Sequence, residues 1–205
     1  MTEVTHLLRY AGIDKLPAIE TDPRKVDFRS NAYQRQYASW VMIDDLLGGT
    51  RKMREAGERW LPSEEKESPI AYGVRLGRSF LYPATKDTAN KIVAKPFQRD
   101  VRIIGTIPAE LDDIALDVDL QGTNLTQFAR QLFFSGVTRG HAHVLVDFPR
   151  VAEGRTLADD REGKIRPYFS IVTADSLFGY RYTRATNGAK LLTQVRIFER
   201  REKLD

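Results

Sequence analysis

The spacing of apolar residues changes period along this chain, and that change limits the folds open to it. Intervals of three and four residues dominate through Arg139, and alternation takes over beyond it. Tyr33, Tyr37, Trp40, Val41, Asp44 and Leu47 predict a helix over 31–47 with three aromatic rings on one stripe, and Ser30 or Asn31 stands at its N-cap. Gly48-Gly49 stops it, since glycine takes the left-handed conformation at little cost. Thr50 is read as the cap of a short second helix that Gly57 weakens. Ser68-Pro69 starts a third, a cap followed by proline at the first helical position. Its buried side is read as Ile70, Gly73, Val74, Gly77, Phe80 and Leu81. A further helix runs over 85–95 and stops before Pro96. Thr123 opens another strong helix, with Leu125, Phe128, Leu132, Phe133 and Val137 on its apolar face and Gly140 at its close.

Extended patterns follow. The β-branched run Val101–Ile107 is short enough for a strand or an irregular extended segment, and Pro108 opens a short acidic helix with Glu110, Asp112 and Asp113. Residues 142–148 alternate, with Val144, Val146 and Phe148 on one side. Three more strands are predicted over 167–173, 178–183 and 191–198, the last two joined by the turn pair Asn187-Gly188. Residues 150–166 are charged and aperiodic, and read as a long surface loop. The resulting class is α+β: a helical N-terminal half followed by a helix and a small, mainly antiparallel sheet with a hairpin. Residues 1–30, broken by Pro17 and Pro23, form a flexible N-terminal arm that packs on something larger or stays mobile. Residues 31–205 form one domain, mainly helical over 31–96 and mixed over 97–205.

Composition excludes several chemistries. The chain of 205 residues has no cysteine, which removes disulfide scaffolds, zinc ribbons, iron–sulfur centres and thiol nucleophiles. No apolar run approaches the roughly 18 residues needed to span a bilayer, and the first residues lack a signal-peptide apolar region. The formal net charge of +4 is mild for this length.

Motifs for catalysis and ligand binding fail in turn. Gly48-Gly49-Thr50-Arg51-Lys52 lacks P-loop spacing and follows a helix rather than a strand. The run from Asp117 through Asp119 to Gly122 resembles the start of a calcium loop, but Phe128 stands where the closing bidentate glutamate belongs. His141 and His143 share one side of a strand without an evident third ligand. Ser135 lies in a helical apolar face with no nucleophile elbow around it, and Asp159-Asp160 reads as solvated. No cofactor is implied. A nucleic-acid reading rests on Arg51, Lys52, Arg54 and Arg59, with Arg24 and Lys25 upstream; Glu55 and Glu58 interrupt the stripe, and a solvated helix face explains any one cation better. Tyr33, Tyr37 and Trp40 repeat at helical spacing, which suits core or interface better than base stacking. A hydrolase with an unrecognised carboxylate pair is a further alternative.

Several segments carry a likeness in a fixed order. Tyr37 through Trp40, Gly48-Gly49-Thr50 and Ala56-Gly57 to Pro62 come first. Glu67–Tyr72 with Arg75-Leu76 and Leu81-Tyr82, then Val118–Thr123 with Phe128-Ala129-Arg130, follow. Gly140 with Val144, Asp147, Pro149 and Arg150, then Arg166-Pro167-Tyr168 and Gln194-Val195-Arg196, extend it over most of 33–200. In this order the segments resemble a tailed-bacteriophage portal protein, the first of them its opening. The resemblance implies a non-enzymatic virion protein at the capsid vertex and a dodecameric homo-oligomer ring. Double-stranded DNA passes through such a ring non-specifically during packaging and ejection. The terminase motor, the capsid and head–tail adaptors are the implied partners, with no membrane. Residues 31–205 then correspond to the wing-like region, with stem, clip and crown missing, as in a truncation or fragment. Tyr33, Tyr37 and Trp40 become the expected subunit interface. The alternative is a small basic DNA-binding module of phage origin, acting through Arg51, Lys52 and Arg54.

Overall fold

The computed structural model describes residues 15–106, 108, 114–151, 154, 156–163 and 165–199. The class is α+β: helices fill the N-terminal half, and two antiparallel strand pairs follow a further helix. The chain forms two compact units. One contains the described residues up to Thr88 and those from Asp175 onward; the other is Ala89–Ala174. This differs from the continuous domain read over 31–205, because the C-terminal hairpin packs on the first long helix.

That helix, α1 (Asn31–Leu47), belongs to the first unit and begins where Ser30 Oγ accepts a hydrogen bond from Tyr33 N at 3.3 Å. The left-handed residue after it is Gly49, at φ 68°, while Gly48 remains right-handed at φ −72°. Helix α2 (Gly49–Ala56) therefore follows at once and has no side-chain cap. Thr50 does not cap it as expected; its hydroxyl accepts from Leu81 N at 3.1 Å and ties α2 to the segment after the next helix. A single 3-10 turn, Gly57–Arg59, leads to α3 (Pro69–Arg78), which Ser68 caps through Ala71 N at 3.2 Å. Helix α4 (Ala84–Ala94) crosses the division between the units.

The described part of the N-terminal arm is held in place. Pro17 C=O accepts from the Tyr37 hydroxyl at 2.9 Å, Lys15 C=O from Arg59 Nε at 3.3 Å, and Lys15 pairs with Glu58. The Arg29 guanidinium lies 3.4 Å from the Phe178 ring centroid, a cation–π contact.

In the second unit, Asn124 caps α5 (Leu125–Arg139), one residue later than the Thr123 start read from the sequence. Gly140 closes it at φ 87° as expected. Strand β1 (Ala142–Asp147) pairs with β2 (Tyr168–Thr173), Ala142 opposite Thr173 and Asp147 opposite Tyr168. The 150–166 segment, read as a loop, contains a short helix, α6 (Leu157–Glu162). Val93, Val118, Phe128, Val172 and Ala174 are buried in this unit. Residues 101–104 form no strand, although Val101 N–H donates to Thr126 Oγ1 at 3.0 Å. Ile107, Glu110, Asp112 and Asp113 lie outside the described residues.

The C-terminal hairpin joins β3 (Leu177–Arg184) to β4 (Lys190–Ile197) in antiparallel register. Its turn is the three-residue form. Gly188 N–H donates to Ala185 C=O at 2.9 Å with Gly188 left-handed at φ 81°, whereas Asn187 keeps a negative φ and accepts from Ala189 N. The hairpin anchors to α1 through Ser30 N–H on Phe178 C=O at 2.8 Å and the Tyr33 hydroxyl on Asp175 C=O at 3.0 Å. Gly179 makes this approach possible, since a Cβ there would lie 3.0 Å from Ser30 Cβ.

Candidate assembly surface

The aromatic stripe of α1 serves the chain's own core. Tyr33 and Trp40 are buried, with ring centroids 5.0 Å apart edge to face, and Phe178 completes the cluster 5.8 Å from Tyr33. Both are buried within the single chain, which corrects the expectation of a subunit interface for Tyr33 and Trp40. Tyr37 is half-buried, 6.0 Å from Tyr33, with its hydroxyl bound to Pro17. Burial holds the Tyr33 and Tyr37 phenols above their ordinary range.

The three cations read as phosphate contacts are not brought together. Arg51 pairs with Glu55 at 2.7 Å and Lys52 with the same carboxylate at 3.6 Å. The Arg54 side chain turns the other way, donating to Ser79 C=O from Nε at 3.0 Å and Nη2 at 2.6 Å, where it caps α3.

The exposed apolar surface lies instead on α3 and its continuation. Ile70 is 81% exposed, Val74 54%, Phe80 75% and Tyr82 70%. Ile70, Val74 and Phe80 are positions the sequence reading placed inside, along with Gly73 and Gly77; a Cβ at either glycine would meet nothing within 4 Å. The reversal has a polar cause. On the opposite side of α3, Arg75 clasps Glu67 with two bonds of 2.8 and 2.6 Å and donates to Pro62 C=O at 2.9 Å. The Tyr72 hydroxyl reaches Leu61 C=O at 3.0 Å. These bonds, with Arg54 and Thr50, fix which side faces inward and leave the apolar stripe outward. The Arg75 hydrogen bond holds the Glu67 carboxyl below its ordinary range. Large apolar side chains exposed along one stretch of chain are the kind of surface that serves association.

A shallow groove of about 300 Å³ lies beside α1 and α2, lined in part by Pro17, Val41, Asp44, Glu55 and Arg59. Its buried carboxylate, Asp45, is already engaged: Oδ2 accepts from Arg59 Nη1 and Trp60 Nε1, both at 2.7 Å.

The remaining sequence candidates resolve simply. Asp119 Oδ1 accepts from Gln121 N at 3.0 Å and Thr123 N at 3.2 Å, and Asp117 Oδ1 from Gly122 N at 2.9 Å, so the acidic turn closes on its own backbone. Burial pushes the Asp119 carboxyl up, but these hydrogen bonds outweigh it and hold the group below its usual value. The His141 and His143 rings stand 5.2 Å apart, and among the described residues no group of three or more His, Cys, Asp or Glu is placed to hold a metal ion. Ser135 is buried in α5. No helix among the described residues is long and apolar enough to cross a membrane.

No family model matches the chain, and no curated protein matches it.

Proposed function

We propose that the chain is a structural assembly protein of the tailed-phage portal type, contributing the wing-like region of a ring of identical subunits at the capsid vertex. The observation that carries this reading is the outward apolar face of α3 with the segment that follows it, where Ile70 and Val74, then Phe80 and Tyr82, lie open to solvent. A head-to-tail contact that closes into a ring needs such a surface on each copy. The segment order from Tyr37 to Arg196 supports the same reading by resemblance. On this proposal the partners are sister copies, the terminase motor, the capsid and head–tail adaptors, and duplex DNA threads the ring without sequence preference.

The test is the mass of the full chain by light scattering, with negative-stain imaging of what forms. Discrete ring-shaped oligomers that an Ile70→Glu/Val74→Glu variant reduces to monomers are expected. A chain that stays monomeric at high concentration refutes the proposal for this polypeptide.

A further inference from the structure

The charge of this chain is unevenly placed. From Leu177 to Phe198 there are four basic residues, Arg181, Arg184, Lys190 and Arg196, and no Asp or Glu. The ribbon thus carries as much formal positive charge as the entire chain, and the remainder is balanced. Asp175 and Glu199 stand just outside its base. Arg196 turns toward the chain, its guanidinium 5.0 Å from the Phe28 ring centroid. The other three cations are exposed.

Strand geometry distributes these groups over both faces. Tyr180, Tyr182 and Arg184 share one face of β3, and Arg181 and Thr183 the other. Arg184 sits opposite Lys190, and Lys190 Nζ lies 4.9 Å over the Tyr182 ring. Tyr180 and Tyr182 are 59% and 50% exposed. Arg181 and Arg184 form no ion pair with any described residue, unlike Arg51 and Lys52 on α2. The neutral polar groups of the ribbon, among them Tyr180, Tyr182, Thr183, Asn187 and Gln194, all carry an N–H or O–H to donate. Beside exposed Leu191 and Leu192, the ribbon's polar groups are cations and donors without a carboxylate, which complements a row of phosphates, and a two-stranded ribbon is narrow enough for the major groove of a duplex.

We infer that the β3–β4 ribbon is a sequence-independent contact surface for the phosphate backbone of double-stranded DNA. Three outward cations displace about three counterions, giving a log–log salt slope near −2.7, or about 40-fold weaker binding from about 50 to about 200 mM salt. The inference does not rest on ring assembly: a monomer that binds duplex through the ribbon keeps it and refutes the proposed function.

The experiment is fluorescence anisotropy of a labelled DNA duplex with the full chain across a salt series. Binding whose slope falls by roughly 2 to 3 in R181Q/R184Q/K190Q, and is unchanged in R51Q/K52Q, is expected. Should the triple variant fail to fold, the single variant R184Q is expected to lower the slope by about 1. Wild-type slopes in these ribbon variants overturn the inference. So does a wild-type chain that binds polyglutamate of matched length but not the duplex, which assigns the ribbon to an acidic protein.

Discussion

Asp45 and Arg59 meet at 2.7 Å in the first unit, both largely shielded from water, and Trp60 Nε1 donates to the same carboxylate oxygen. The pair joins the last turn of α1 to the 3-10 turn after α2. Removing one partner of a shielded ion pair leaves the other charge uncompensated, so Asp45→Ala is expected to cost about 3 kcal/mol. Asp45→Asn keeps an acceptor for the indole and costs less. The double variant D45N/R59Q is expected to lose less than the sum of its single variants, because both act on one interaction. Urea denaturation of the parent, D45A, D45N, R59Q and D45N/R59Q checks this.

Gly179 is the position where the hairpin and the start of α1 leave no room for a side chain. A Cβ there lies 3.0 Å from Ser30 Cβ and 3.4 Å from Ser30 Oγ, with Arg196 Nη2 at 3.3 Å. Ser30 caps α1 and also donates its own N–H to Phe178 C=O. Gly179→Ala is expected to displace the cap and to cost about 1 to 2 kcal/mol. The loss is read as a lower thermal midpoint, with Ser30→Ala adding little on top of it because the same cap is already disturbed.

Glu67 gives the stability a pH signature. Its hydrogen bond from Arg75 lowers its folded-state pKa below the ordinary 4.5. The unfolded chain therefore takes up this proton first as pH falls. The stabilisation is fully present above about 4.5 and drains away as pH drops through the lower folded value. Glu67→Gln is expected to lower the thermal midpoint at neutral pH and to flatten its decline below pH 4.5. A melting series from neutral to acid reads both effects.

Local signals in the sequence carried much of the fold. Ser30, Ser68-Pro69 and Gly140 each mark a boundary that the structure uses, because caps and left-handed glycines act within a few residues. The hairpin was legible from Asn187-Gly188, though its turn takes the three-residue form because only Gly188 adopts positive φ. Which side of α3 faces in was not legible. Hydrophobic spacing pointed to Ile70 and Val74, while the decision fell to Arg75, Glu67 and Tyr72, whose partners come from other segments. Thr50 misled for the same reason, since its hydroxyl is taken by Leu81, thirty-one residues along the chain. The first unit's closure by residues beyond Asp175 is a long-range pairing that no periodicity announces. The basic ribbon is legible in the sequence. Its signal is the run from Tyr180 to Arg184, which interleaves tyrosines and arginines without an acid.

The outward face of α3 separates folding from assembly. Gly73 and Gly77 have open space where a Cβ would stand, and neither takes positive φ. Alanine at each is expected to stabilise the single chain by up to about 1 kcal/mol, since glycine in a helix costs that much backbone entropy. The added methyl groups stand on the side that Ile70 and Val74 share, so a partner packed closely there is pushed away. Gly73→Ala/Gly77→Ala is therefore expected to raise the melting temperature at low concentration while lowering the association constant. Ile70→Glu, at an exposed site, is expected to change folding stability by no more than about 0.5 kcal/mol while removing association altogether. Melting curves and light scattering on the same samples check both, and alanine variants that associate as well as the parent place the contact on another face.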